Sequence, residues 1–254
     1  MRTTLIKFVL AGVISFLPSV LSANEKTYVY AASSLTGAMT QAATTFEAET
    51  HQRITLVFGA SSTLARQIIQ GAPANLYVSA NSLWMDMVAG KGLIEADSRH
   101  DIAGNRLALV APVSDSAFLD VLDPNALMSR LGKGHLAIAD PRHVPAGMYA
   151  EKALRYLKLW SLVKSRLATA SNVRIALAYV ERNEVPLGVV YASDLYGRTK
   201  IKIVAMIPET SHPRIRYPMA VIKANTSPTA IAFQRFLQSS KGRAILTQFG
   251  FQAL

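Results

Sequence analysis

The sequence predicts an α/β protein with largely parallel sheets. Two observations carry this expectation. Short apolar segments alternate with segments whose apolar residues recur at helical spacing. The junctions where an apolar segment gives way to a helical one are rich in Ser, Gly, Ala and Asn, the residues expected where a strand hands over to a helix mouth.

The elements follow in order. Tyr28 to Ala32 reads as a strand, and Leu35, Met39, Ala42 and Phe46 mark the helix after it. Ile54, Leu56 and Phe58 alternate as a strand, and Leu64, Ile68 and Ile69 mark a helix that stops near Gly71 and Pro73. Leu76 to Ser79 is a strand, and Trp84, Met85 and Val88 form a helix ending before Gly90. Leu107 to Ala111 is a strand closed by Pro112. Leu136 to Ala139 is another, followed by a helix bearing Ala150, Ala153, Leu154 and Leu157. Val173, Ala176, Leu177 and Val180 mark a further helix. Leu187 to Tyr191, Ile201 to Ala205 and Met219 to Ile222 are strands, and the tail is helical, with Ile231, Leu237, Ile245 and Phe249 as core positions. In such folds the ligand sits at the carboxyl ends of strands, where helices begin. No short-period repeat or low-complexity linker is present, so composition alone marks no domain boundary.

Composition narrows the chemistry. The chain has 254 residues, half of them hydrophobic, and no cysteine, which excludes disulfides, thiolate metal sites, catalytic thiols and a cysteine-linked lipid anchor. The net charge is +11. Such a balance fits nucleic acid, an anionic membrane surface or an anionic small ligand. The N-terminus separates these. Arg2 and Lys7 precede an apolar run from Phe8 to Leu21 that Pro18 interrupts and that ends in Ser22 and Ala23. Charged start, short apolar middle and small-residue exit make a secretory leader, too short to span the ~30 Å hydrocarbon core comfortably. Cleavage is expected between Ser22 and Asn24. Loss of Arg2 and Lys7 with the leader lowers the net charge from +11 to +9. The mature protein is therefore expected in the periplasm, soluble and without nucleic acid as a partner.

Four junctions share one chemistry: Ala31-Ala32-Ser33-Ser34, Gly59-Ala60-Ser61-Ser62-Thr63, Val144-Pro145-Ala146-Gly147 and Ala170-Ser171-Asn172-Val173. Each is a helix mouth with unpaired N–H groups at the positive end of a dipole. Taken singly, each is also an ordinary cap. None of the four contains Asp, Glu, His, Lys or Arg, so a bound anion is held by neutral donors alone and no base activates a serine. Hydrogen bonds to charged groups contribute about 1.5–3 kcal/mol each. The absence of an acceptor selects a fully deprotonated tetrahedral oxyanion over hydrogen phosphate.

The stretches "AASSLTGAM", "FGASSTLARQIIQGAPANLYVSANSLWMD", "GNRLALVAP", "LAIADPRHVPAGMYAEKAL" and "NVRIALAYVERNEVPLGVVYASD", with "RYPMAV" toward the tail, resemble the periplasmic molybdate-binding proteins of ABC transporters. The match is colinear from Tyr28 to Asp194. The resemblance implies two α/β domains of the type II periplasmic binding protein kind, with a ligand cleft between them. It divides the chain into a signal peptide at 1–23, a first domain from 24–107 and 218–254, and a second domain at 108–217, with crossings near Leu107–Ala111 and Tyr217–Val221. It implies that Ser34 and Ser61 donate side-chain hydroxyls, Ala146 and Val173 backbone N–H groups, and Tyr191 its phenol. Molybdenum would be held only as the oxyanion through these residues. The implied function is capture of molybdate, and of tungstate, for a membrane permease, by a monomer without cofactor or catalysis. Ser33 stands where the family usually has alanine, so Ser33 and Ser34 are alternative registers for the first donor. Asn75 and Asn81 replace two acids of the common pattern "GAPADLFISAD"; they are not expected to touch the ligand but to shape the domain surface or the transporter contact. Ser62 and Thr63 are expected to serve the helix mouth as caps.

Rival readings are weaker. Ser161-Leu162-Val163-Lys164 matches S-x-x-K, but no K-T-G or S-D-N partner exists and the G-x-S-x-G elbow is absent. Lys164 reads as a surface charge, and a periplasmic serine hydrolase has little support. The histidines, His51, His100, His135, His143 and His212, show no metal-ligand spacing. Another oxyanion such as sulfate would use the same donors.

Overall fold

The computed structural model describes residues 26–115 and 117–254. The expected leader lies outside the described residues. The elements run β1 (Thr27–Ala32), α1 (Thr36–Thr50), β2 (Ile54–Gly59), α2 (Ser61–Ile69), β3 (Leu76–Val78), α3 (Ser82–Ala89), β4 (His100–Asn105), β5 (Leu107–Pro112), α4 (Pro124–Leu131), β6 (Leu136–Ala139), α5 (Pro145–Tyr156), α6 (Trp160–Val163), β7 (Leu167–Ala170), α7 (Val173–Glu181), β8 (Leu187–Tyr191), β9 (Ile201–Met206), β10 (Ile215–Val221), α8 (Pro228–Gln238) and α9 (Ser240–Gln248). Among the described residues no helix is long and apolar enough to cross a membrane.

They form two five-stranded sheets, ordered β2-β1-β3-β10-β4 and β7-β6-β8-β5-β9. Both are mixed rather than largely parallel. In the first sheet β1 pairs in parallel with β2 and β3, while β10 runs antiparallel to β3 and β4. In the second, β6 pairs in parallel with β7 and β8, while β5 runs antiparallel to β8 and β9. The antiparallel strands are those entered from the other sheet or by a direct return, without a crossover helix to impose parallel order. The chain passes between the sheets at Arg106 and again between β9 and β10. Leu107–Ala111 and Tyr217–Val221 each lie within one sheet, just after these passages.

The parallel strands bring their carboxyl ends, and the helix mouths that follow, to one edge of each sheet. Packing holds the helices there. Leu35, Met39, Ala42 and Phe46 of the first helical segment are buried against one face of the first sheet, and Leu64, Ala65, Ile68, Trp84 and Met85 cover the other. In the second unit Ala150, Ala153 and Leu154 of α5 and Ala176, Leu177 and Val180 of α7 do the same for the strands around Leu136–Ala139. Elements that the apolar pattern missed are β4, α4, α6 and β7. β4 is polar in sequence (HDIAGN) and β7 is an edge strand with little apolar content (LATA), so pairing rather than periodicity makes them strands. The helical tail is two helices, broken at Ser239, which caps α9 by accepting from the Gly242 N–H.

Gly147 fixes how closely α5 sits against the second sheet. A Cβ there would lie 2.0 Å from the Ala139 carbonyl oxygen and 2.8 Å from the Asp140 carbonyl carbon. Both are backbone atoms that cannot swing aside. Gly147→Ala is therefore expected to push the helix start off β6 and cost about 1–3 kcal/mol, lowering the thermal midpoint by roughly 2–10 °C. Thermal unfolding checks this; an unchanged midpoint would show that α5 is not held at this distance.

Candidate functional site

A small cavity lies where the two sheets present their helix mouths to each other. Its wall is Ala32, Ser33, Ser34, Gly59, Ala60, Ser61 and Ala80 on one side and Val144, Pro145, Ala146, Val173 and Tyr191 on the other. The five residues expected to hold a ligand, Ser34, Ser61, Ala146, Val173 and Tyr191, thus line one cavity. No lining side chain carries a charge at neutral pH.

The local structure turns each of them toward donation. Tyr191 is 1% exposed and its phenol oxygen has no hydrogen-bond partner among the described residues. Burial, reinforced by the neighbouring Tyr217, Tyr149 and Asp194, pushes this phenol well above its ordinary value, so it keeps its proton. Ser61 Oγ accepts the Ala80 N–H at 2.9 Å. A backbone N–H only donates, so Ser61 Oγ accepts this bond and keeps its own hydrogen for another partner. Tyr77 donates to the Ser61 carbonyl oxygen at 2.9 Å and fixes the strand-to-helix turn. Ser34 Oγ lies 3.0 Å from the Tyr217 phenol oxygen.

At α7 the Asn172 side chain accepts from the N–H groups of Arg174 at 3.0 Å and Ile175 at 3.2 Å, and the Asn172 carbonyl accepts from Ala176 at 3.2 Å. The caps thus take the N–H groups of Arg174 and Ile175 and leave that of Val173, the first helical residue, open. At α5 the first residue is Pro145, which has no N–H, and Met148 bonds back to Val144. Ala146 and Gly147 keep theirs, and Ala146 lines the cavity. Small residues at each mouth leave the backbone open to close approach.

Around this cavity the two units clasp each other. Trp84 Nε1, from α3, donates to the His143 carbonyl oxygen at 2.8 Å, and Ser62 Oγ lies 2.9 Å from His143 Nδ1. His143 is in the loop before α5, so both contacts join the first unit to the second. Asn81 Nδ2 reaches Met148 Sδ at 3.9 Å, a third and weaker link. The role expected for Ser62 is therefore corrected. Helix α2 starts after Ala60 with no side-chain cap bond, Ser62 bonds across the cleft instead, and Thr63 is exposed.

This arrangement places Ser62, His143 and Asp140 in a row, a geometry the sequence spacing did not reveal. It does not amount to a nucleophilic triad. Ser62 is fully buried. His143 Nε2 is 3.7 Å from Asp140 Oδ2, beyond hydrogen-bond reach. The Asp140 carboxylate is taken by Arg142, at 3.0 and 2.6 Å, which together with the backbone holds it down to about 2.

Asn75 and Asn81 are buried, and neither lines the cavity. Asn75 accepts from the Tyr28 N–H and donates to the Asn225 carbonyl, both at 2.7 Å. An ionised aspartate there would lack the donor. Asn81 caps α3 by accepting the Trp84 N–H at 3.2 Å. Lys164 is exposed, and among the described residues no group of three or more His, Asp or Glu gathers as a metal site. Asn105, Tyr217, Trp84 and His143, which orient or enclose the site, were not singled out as such from the sequence. Tyr217 stands 183 residues from Ser34, and no local pattern marks such a pairing.

Asp194 lies under the site. It is fully buried, accepts the Tyr191 N–H at 3.2 Å and stands 3.6 Å from Arg174 Nη1. Burial pushes its carboxyl up to about 7, with Arg174 and the Tyr191 N–H pulling the other way.

The chain matches the family model described as bacterial extracellular solute-binding protein over residues 27–252. It is 43% identical over 232 residues to the molybdate-binding protein of Escherichia coli, covering 91% of this chain and 90% of that one. It is 37% identical to the molybdate-binding protein of Haemophilus influenzae over 91% and 92% of the two chains. Among solved structures it is similar to the substrate-binding domain assigned to a molybdenum ABC transporter of Clostridium difficile. That likeness has 32% identity and a TM-score of 0.70, covering 90% of this chain and 99% of the other.

The Asp194 carboxyl has a folded value above its ordinary 3.8, so folding takes up a proton. Its contribution is fully present below about pH 4 and is lost as pH rises through about 7. Thermal midpoints measured from pH 5 to pH 8 should fall with rising pH, and Asp194→Asn should flatten that slope. An identical slope in the variant would remove Asp194 as its source.

Proposed function

The chain belongs to the bacterial extracellular solute-binding proteins, and from that premise we propose that it captures molybdate between its two units and hands it to the permease of an ABC transporter. One observation carries this reading: the cavity wall offers hydrogen-bond donors and no charged side chain. Ser34, Ser61 and Tyr191 supply O–H groups, and Ala146 and Val173 supply N–H groups. A tetrahedral dianion satisfies all of them at once. An anion that keeps a proton meets no carboxylate to accept it, so a wall hydroxyl must turn from donating to accepting, at a cost of about 1–3 kcal/mol. Tungstate presents the same charge and nearly the same size, so it is expected to bind with molybdate. Sulfate is smaller, and the fit of the cavity decides how far it is rejected.

Ser34 and Ser61 belong to the first unit, and Ala146, Val173 and Tyr191 to the second. The shell is complete only when the units close, and the Trp84–His143 and Ser62–His143 bonds hold them closed. No bond of the ligand is made or broken; the protein binds and releases. The domain division follows the sheets, and the protein acts in the periplasm as a monomer after loss of its leader. The donors are neutral, so the positive surface serves encounter rather than retention.

Thermal unfolding with molybdate, tungstate, sulfate and phosphate in parallel tests the reading. A ligand at ~100 times its dissociation constant adds about 2.7 kcal/mol of stability. Molybdate and tungstate should raise the midpoint; absence of a shift with both would end the proposal. Tyr191→Phe and Ser61→Ala should each weaken molybdate binding about tenfold or more while leaving the unliganded fold nearly unchanged. Parent-like affinity in both would dismiss the donor assignment. Trp84→Phe removes the donor to the His143 carbonyl and should speed molybdate release, measured by stopped flow, about three- to tenfold with little change in the association rate. An unchanged release rate would show that the clasp does not hold the closed form.

A further inference from the structure

We infer that Tyr217 and Asn105 are positioning residues that lock the Ser34 hydroxyl as a donor to the ligand, and so help the site refuse an anion that carries a proton. The inference deepens the oxyanion reading above and rests on it.

The direction of each hydrogen bond follows from chemistry. Asn105 Oδ1 accepts the Arg106 N–H at 2.9 Å, which fixes which way the amide points. Its Nδ2 then donates to the Tyr217 phenol oxygen at 3.1 Å and to Ser193 Oγ at 2.8 Å. With that oxygen accepting, the Tyr217 hydrogen needs an acceptor. Tyr217 is fully buried, and among the described residues the other hydrogen bond of its phenol oxygen is with Ser34 Oγ, at 3.0 Å; the neighbouring Tyr191 phenol makes no hydrogen bond. If Ser34 donated to Tyr217 instead, the Tyr217 hydrogen would be buried without a partner, which costs about 1–3 kcal/mol. The satisfied arrangement runs one way, from Asn105 to Tyr217 to Ser34, and leaves the Ser34 hydrogen for the cavity it lines.

The fold builds this chain on purpose-shaped parts. Tyr217 sits where the pairing of β10 with β4 slips register, between Arg216 and Pro218, an irregularity that re-aims a side chain. Its ring is held edge-on by Phe251 at 5.3 Å and by Tyr191 at 6.1 Å between centroids. Asn105 ends β4 beside the crossing at Arg106, so the relay starts at the joint between the units. Each bond in such a chain polarises the next, strengthening the final donor.

Titration calorimetry on a double-mutant cycle tests the relay, with molybdate and inorganic phosphate as probes. Tyr217→Phe should weaken molybdate about tenfold. It should also narrow the preference for molybdate over phosphate at pH 6, because an unlocked Ser34 can turn and accept the phosphate proton. In a Ser34→Ala background the same change should cost less than about twofold, since the group it acts through is gone. Equal losses in both backgrounds would overturn the relay and leave Tyr217 a packing residue. If Tyr217→Phe does not fold, Asn105→Ala serves in the same cycle, with a loss about half as large on a logarithmic scale that again vanishes with Ser34→Ala. A parent that binds neither molybdate nor tungstate overturns the oxyanion reading itself. A parent that binds, with additive losses, overturns the relay alone.

Discussion

A doubly charged anion stripped of water must regain, from the protein, hydrogen bonds at every oxygen. A site that does this without a positive charge has one means left, which is to aim polar hydrogens inward from several directions and to hide every lone pair. The arrangement of the molecule answers to that constraint. A serine hydroxyl can give or take, so its taking side must be occupied. Ala80 occupies it for Ser61, and Tyr217 for Ser34. A helix start offers several open N–H groups, and Asn172 uses up those of Arg174 and Ile175, leaving the one at Val173.

The sheets follow from the same requirement. Parallel strands bring helix mouths to a common edge, and two such edges facing each other enclose an ion better than one. Two crossings, at Arg106 and between β9 and β10, connect the units. The close seat of α5 on β6, set by Gly147, places the Ala146 N–H at the cavity wall. In the proposed reading the donors are divided between the units, so the ion itself contributes to closure. The bonds made by Trp84 and Ser62 to His143 add a term that does not depend on the ion's identity.

The local features of this design were legible in the sequence. The strand–helix alternation, the hydroxyl-rich mouths and the absence of charge in all four junctions are properties of short stretches, and the helices at Thr36–Thr50, Ser61–Ile69 and Val173–Glu181 begin close to where the apolar spacing placed them. What was not legible depends on distant pairing. The polar strand His100–Asn105 becomes a strand through β10, which arrives more than a hundred residues later. The hydrogen bonds of Asn75 were not legible because its partners, Tyr28 and Asn225, are far away in the chain. Ser62 looked like a cap because capping is the local use of a serine at a helix mouth. Its partner His143 lies 81 residues further on.

The same pairing explains why a serine, a histidine and an aspartate can lie together without catalysis. A nucleophile must be reachable, and its base must be oriented by a free carboxylate. Ser62 is sealed inside the interface, and Asp140 is committed to Arg142 through three contacts of 2.6 to 3.2 Å. The ion pair anchors the loop that carries His143, and the loop in turn offers its carbonyl to Trp84 and its ring to Ser62. Reading these groups as a clasp accounts for the burial of Ser62, the commitment of Asp140 and the position of all of them at the rim of a cavity that holds no base of its own. Reading them as a triad accounts for none of these.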